Sequence, residues 1–343
     1  MHEHSPIYRA QILMTWQTHY LAPDPTQWKG RADTPPGSCF FQTVELLNLL
    51  ETHPAQAMRS TFALIGFKCD EGIRRNHGRP GAAEGPAAIR QALARLPMQK
   101  ETAICFDVGN IICSDGDLES SQQALGEVVS LLLQQGINTI VLGGGHELAW
   151  GHFQGIAHTF IQQDVGIINF DAHFDMRPTL ANGEGTSGSP FLQIAEAHKA
   201  LNRRLDYNCI GTQHAGNVRQ THETAKQFNA KIIWADELHQ GQLEKTVDFI
   251  DRIIDQNEII YLSICLDVFS SAFAPGVSAT QALGLFPWHV IPLIRQIAAS
   301  GKVICFDVAE LSPRYDFDHH TAKLAANLVY EFIHHYNEQP RPW

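Results

Sequence analysis

From Thr61 to the C-terminus the chain alternates short apolar runs with stretches of helical period, and no other feature constrains its fold as much. Thr61–Phe67, Ile104–Val108, Ile137–Leu142, Val165–Phe170, Tyr207–Gly211, Lys231–Trp234, Ile259–Cys265 and Val303–Val308 read as strands. Between them, Pro86 opens a helix whose Ile89, Leu93 and Leu96 share a face. Leu118–Gln134 is a second helix, with Leu125, Val128, Val129, Leu132 and Leu133 at the 3,4 spacing and Gly136 as its stop. Further helices are predicted over about 148–162, along the Leu243, Val247, Ile250 and Ile254 stripe, near Trp288–Ala298 and over His319–Tyr336. Alternating strands and helices predict a three-layer α/β/α fold, with a mainly parallel sheet covered on both faces. Residues 1–60 read as an N-terminal arm broken by Pro23, Pro25, Pro35 and Pro36, in which only Phe40–Leu50 looks helical. No repeat or Gly/Ser-rich linker divides the rest, so 61–343 is expected to be one domain.

Bulk properties exclude several function classes. With 343 residues, 44% of them hydrophobic, the chain can bury a large core. A net charge of -11 without any long basic tract argues against nucleic acid and anionic membrane surfaces as partners, and leaves a small molecule. No stretch approaches the roughly 18 apolar residues of a membrane span. Met1–Pro6 lacks the basic-then-apolar order of a secretory signal. The seven cysteines are scattered without a Cys-x-x-Cys pair, which fits a reducing cytoplasm. Cys105 and Cys305 lie inside apolar runs and read as core thiols.

The chemistry gathers where strands end. Val165–Phe170 runs into Asp171-Ala172-His173-Phe174-Asp175. In an extended chain residues two apart point the same way, so Asp171, His173 and Asp175 share a side. Two carboxylates and an imidazole crowded together call for a cation between them; the bland alternative is a capping Asp, a core His and a surface Asp. Three other ends break as sharply. Gly143-Gly144-Gly145-His146 turns tightly and places His146 at the sheet edge, without the pattern of a phosphate-cradling loop. Ser263-Ile264-Cys265-Leu266-Asp267 repeats the two-residue spacing with Cys265 and Asp267, although Cys265 alone could be a buried, non-liganding thiol. Phe306-Asp307-Val308-Ala309-Glu310 is the fourth. Together they hold more donors than one catalytic metal takes, and two ions about 3.5–4 Å apart would use them. Oxygen-rich ligation with two imidazoles suits manganese better than zinc.

The Gly-Gly-Gly-His, Asp-Ala-His-Phe-Asp and Ser-Ile-Cys-Leu-Asp elements resemble the three metal-binding motifs of the ureohydrolases, the family of arginase, agmatinase and formimidoylglutamase. The resemblance runs from about Thr61 to the end. Two stretches, 70–86 and Ser187-Gly188-Ser189-Pro190-Phe191, look like the formimidoylglutamase branch: arginases and agmatinases carry a proton-shuttling His near where Ser187 stands. The Ala274–Ser278 run looks like the family's loop after the third motif.

The resemblance implies an arginase-like fold and two Mn2+ ions per subunit. The first would take His146, Asp171, Asp175 and position 265, and the second Asp171, His173, position 265 and Asp267. It implies hydrolysis of N-formimidoyl-L-glutamate to L-glutamate and formamide, as in histidine breakdown, by activated water attacking the amidine carbon. Asp267 would manage the water's proton, and Glu310, which on spacing alone could be a capping Glu, would pair with the amidine. For the glutamate carboxylates, Arg177 is the foremost candidate, with Arg74, Arg75 and Ser187 beside it; each Arg taken singly also fits a solvated charge. A homo-oligomer is expected. Position 265 departs from the family pattern, since Cys265 stands where a bridging Asp is usual. A thiolate is softer and offers one donor atom, so the occupancy of the second ion is the open point. Two other readings follow: a guanidine hydrolase of the same family, against which Ser187 argues, and a metal-poor binding protein, which Cys265 keeps open.

Overall fold

The computed structural model describes residues 15–57, 60–160 and 162–337; the reading of Met1–Pro6 lies outside them. Among the described residues ten strands form one sheet: β1 (Tyr20–Leu21), β2 (Glu45–Leu46), β3 (Thr61–Lys68), β4 (Ile104–Ile112), β5 (Asn138–Leu142), β6 (Val165–Phe170), β7 (Asp206–Thr212), β8 (Lys231–Trp234), β9 (Ile259–Cys265) and β10 (Val303–Ala309). Their order is β1-β4-β3-β5-β10-β9-β6-β7-β8, with β2 also on β4. All pairs are parallel except β1 with β4.

Alternate residues of the central strands enter opposite cores. Phe62, Leu64, Ile140, Ile168, Leu262 and Phe306 pack in one, against the helices Gly85–Leu93, Leu243–Gln256, Pro287–Ala299 and His320–His335. Ala63, Ile65, Val141, Ile167, Tyr261 and Cys305 pack in the other, against Leu118–Gln134, Leu148–Thr159 and Pro190–Ala200. Both faces are thus buried, as a parallel sheet requires, and the three layers follow. Among the described residues no helix is long and apolar enough to cross a membrane.

The stretch before Thr61 differs from its sequence reading. The helix expected over Phe40–Leu50 ends at Thr43. Val44 is extended, Glu45–Leu46 pairs with β4, and Leu47 N donates to Asp107 O at 2.9 Å. Sheet hydrogen bonds at an available edge outweigh a marginal helical period. The helix Pro190–Ala200, which the sequence reading did not mark, starts with Pro190 in its first turn, where a missing N–H costs nothing.

The register fixes what matters for function. Leu142 pairs with Val308, Val308 with Ile264, and Ile264 with Phe170. These four residues form one row across the adjacent strands β5, β10, β9 and β6. Those are the four strands whose ends carry the polar motifs, and consecutive β5 and β6 are separated by β10 and β9. Ligands of open α/β sheets bind at such a switch in strand order, beyond the carboxyl ends.

Candidate metal centre

Just past that row, the chain delivers the predicted donors to one place. His146, Asp171 and Cys265 present ligand atoms within 4.8 Å of one another, and so do Asp171, His173 and Asp267. Asp171 belongs to both groups. Its Oδ2 lies 3.0 Å from His146 Nδ1 and its Oδ1 3.4 Å from His173 Nδ1. Asp175 Oδ2 is 2.9 Å from His146 Nδ1, and Asp267 Oδ2 is 3.1 Å from His173 Nδ1. Glu310 lies close by and accepts the His146 backbone N–H on Oε1 at 2.9 Å.

Local structure holds these side chains in place. Gly144 has φ +79°, and a Cβ there would stand 2.5 Å from Phe67 O, so the turn that swings His146 inward needs glycine. Asp175 (φ 46°) and Glu310 (φ 73°) also occupy the left-handed region, a conformation non-glycine residues keep only when their surroundings enforce it. Phe191 N donates to Asp175 O at 3.1 Å, and Glu310 N to Gly144 O at 2.8 Å. The Phe191 ring packs edge-on against His146 with centroids 5.3 Å apart.

The electrostatics call for a cation. Burial and the Asp171 charge push the Asp175 carboxyl up to about 6. Burial raises Asp267 too; His173 opposes the shift and the Asp171 charge adds to it. Burial works against ionising Asp171, but the bonds and charges of His146 and His173 hold its carboxyl below the usual range. Burial would lower both imidazoles, yet the surrounding carboxylates outweigh it and raise them. Cys265 is raised well above an ordinary thiol by burial and then by Asp171, Asp267, Glu310 and Asp175. Asp267 Oδ1 is buried with no hydrogen-bond partner among the described residues. A divalent ion would neutralise the excess carboxylate charge and occupy that oxygen, and this oxygen- and imidazole-rich donor set suits manganese.

The predicted substrate residues divide. Ser187 is 8% exposed and accepts from Asn76 Nδ2 at 3.2 Å, so the 70–86 and 187–191 stretches meet. Arg177 is exposed, its N donates to Gly188 O at 2.8 Å, and a Cβ on Gly188 would come within 2.8 Å of its Cδ. Arg74 and Arg75 are engaged by carboxylates of their own surroundings. Arg74 forks onto Glu71 on an exposed surface. Arg75 is bonded to Glu71, Glu119, Gly185 O and Gly116 O, which uses its whole guanidinium as a brace.

Sequence reasoning missed Glu147, whose buried carboxylate accepts Gly72 N at 2.9 Å and ties the 70–86 segment to the glycine turn. Burial pushes that carboxyl up to about 8. It also missed Asn76 and Ser263. The signal for Ser263 was present, since it precedes Cys265 by two residues in a strand and therefore shares its face.

With this geometry in view, similarity to known proteins becomes informative. The profile of the arginase family matches residues 60–335. The chain is 40% identical over 316 residues to the formimidoylglutamase of Legionella pneumophila (strain Lens), covering 92% of this chain and 98% of that protein. It is 40% identical over 326 residues to the formimidoylglutamase of Geobacillus thermodenitrificans (strain NG80-2), covering 94% and 99%. Among solved structures, it matches Trypanosoma cruzi formiminoglutamase with Mn2+2 at a TM-score of 0.72 and 27% identity, over 84% of this chain and 97% of that one.

Proposed function

This chain belongs to the arginase family, and from that premise we infer that it hydrolyses N-formimidoyl-L-glutamate to L-glutamate and formamide. The chemistry is carried by one observation, a buried Asp171 shared between two groups of potential ligands. The substrate is supported by similarity to formimidoylglutamases over nearly the whole chain, and by Ser187 where guanidine hydrolases carry a histidine.

His146, Asp171, Asp175 and Cys265 would hold one manganese ion, and Asp171, His173, Cys265 and Asp267 the other. When bound, the pair supplies a water acidic enough to attack at neutral pH. The remaining work falls to the chain's own side chains. Asp267 Oδ1, buried and without a hydrogen-bond partner among the described residues, takes the proton of the attacking water and returns it to the departing nitrogen. Glu310, beside His146, faces the cationic N–C–N group and orients its carbon for attack. The water's oxygen leaves in formamide, and the substituted nitrogen leaves as the amine of glutamate. Arg177 offers its fork to a glutamate carboxylate above Gly188.

The direct test is an assay of manganese-loaded protein. Formamide and glutamate should appear in equal amounts from N-formimidoyl-L-glutamate, and no urea from arginine or agmatine; urea release without formamide would reject the substrate. Arg177→Ala should raise KM by about 10–100-fold, the worth of a charged hydrogen bond, with a much smaller change in kcat. A KM unchanged from the native enzyme would remove Arg177 from the site. Cys265→Asp exchanges a soft single donor for a hard carboxylate. It should tighten manganese binding by roughly tenfold, on the scale of one charge-assisted contact. Weaker binding in that variant would mean that the thiol suits this site better than the family's carboxylate.

A further inference from the structure

A buried polar ladder runs behind the ligand groups, on the sheet face covered by the helix Leu148–Thr159. His146 Nε2 lies 2.9 Å from Ser263 Oγ. Ser263 Oγ donates to Asp307 Oδ1 at 2.6 Å. The other oxygen, Asp307 Oδ2, receives the Tyr261 hydroxyl at 2.6 Å and lies 2.8 Å from His152 Nδ1. His152 Nε2 is 2.8 Å from Thr139 Oγ1. His152, Tyr261, Ser263 and Asp307 are all 0% exposed, so no solvent molecule competes for these bonds.

The protons along this ladder can be assigned. A carboxylate only accepts, so the single hydroxyl proton of Ser263 points to Asp307. Ser263 Oγ is left with lone pairs alone to offer His146, and Nε2 must carry the N–H. A neutral imidazole has one N–H. In the neutral, metal-ligating ring, Nδ1, which faces Asp171 and Asp175, is then the nitrogen left to bind an ion.

We propose that Asp307 is a positioning residue which, acting through Ser263, holds His146 with its proton on Nε2 and so presents Nδ1 to the first metal ion. The proposal rests on the two-manganese reading given above. It also explains why an acidic residue is buried in mid-sheet: a partner that only accepts gives the ladder one direction, whereas a hydroxyl or amide would allow either.

Asp307→Asn tests this with almost no change of volume. Two groups donate to the Oδ2 position, so the amide oxygen stays there and the NH2 turns toward Ser263. Ser263 then donates to His146 Nε2, and the ring's N–H moves to Nδ1, where it blocks ligation. Replacing a carboxylate by an amide behind a catalytic histidine enforces the wrong tautomer by the same logic. The measurement is a manganese titration of metal-stripped full-length protein, with free Mn2+ followed by electron paramagnetic resonance. The unmodified chain should take up two ions. Asp307→Asn should weaken one of them by about 10–100-fold and leave the other unchanged.

Ser263→Ala should cost less, because it removes the link without reversing it. The double variant should bind better than Asp307→Asn alone, since the reversed amide no longer reaches His146. Purely structural damage would add instead. A native titration for Asp307→Asn, or a double variant no better than it, overturns the proposal. If Asp307→Asn does not fold, Ser263→Ala decides: weakening confined to one ion supports the ladder, and a native titration rejects it. Unmodified protein that took up no manganese would sink the two-metal reading together with the proposal, which separates the two failures.

Discussion

Asp171→Asn should abolish uptake of both manganese ions and lower kcat/KM by roughly 10³-fold or more, the scale of losing a preorganised electrostatic stabiliser. The effect is this broad because Asp171 belongs to both groups of ligand atoms. Its two oxygens face different imidazoles, Oδ2 toward His146 and Oδ1 toward His173. The amide keeps the shape but loses the charge and one acceptor, so each ion loses an anionic donor. Circular dichroism should show a folded protein, which separates loss of metal from loss of structure. Two ions per chain and near-native turnover in this variant would end the case for a shared carboxylate.

Glu310→Gln should leave metal uptake intact and lower kcat/KM by about 10²–10³-fold. The amide oxygen can still accept the His146 backbone N–H, so the turn at residues 143–146 keeps its anchor. What disappears is the charge offered to a cationic amidine. Burial, then Glu147 and Asp267, hold the Glu310 carboxyl well above its ordinary range in the free enzyme. A cationic substrate group reverses that pressure, so the pairing strengthens as substrate enters. Steady-state kinetics beside a manganese titration tests both halves. Turnover within a few-fold of native would take Glu310 out of the reaction, and lost metal would make it a structural support instead.

Much of this centre was legible in the sequence because its signals are local. The period-two spacing of Asp171, His173 and Asp175 and of Cys265 and Asp267 needs only the geometry of an extended chain. The glycine run before His146 needs only the freedom of glycine in left-handed backbone, which Gly143 and Gly144 adopt. The strands Val165–Phe170, Lys231–Trp234 and Ile259–Cys265 have the limits their apolar runs predict. Arg74, Arg75 and Arg177 could not be sorted, because a guanidinium's role depends on what surrounds it. Glu71 and Glu119 engage Arg75, and Glu119 lies 44 residues away in sequence. The β2 pairing was hidden for a similar reason, since Glu45–Leu46 becomes a strand only when β4 lies beside it.

The sequence by itself determined that the strands β3 to β10 form and what chemistry four of them carry at their ends, because burial pattern and backbone preference act over a few residues. Only the tertiary structure decided that β5, β10, β9 and β6 lie side by side, with Leu142, Val308, Ile264 and Phe170 in one row. Strand order is set by crossovers that must cover both faces of a parallel sheet, a condition on the whole chain that no single segment encodes. That order turns separate acidic and imidazole motifs into one centre, and sets Asp307 behind Ser263 and His146.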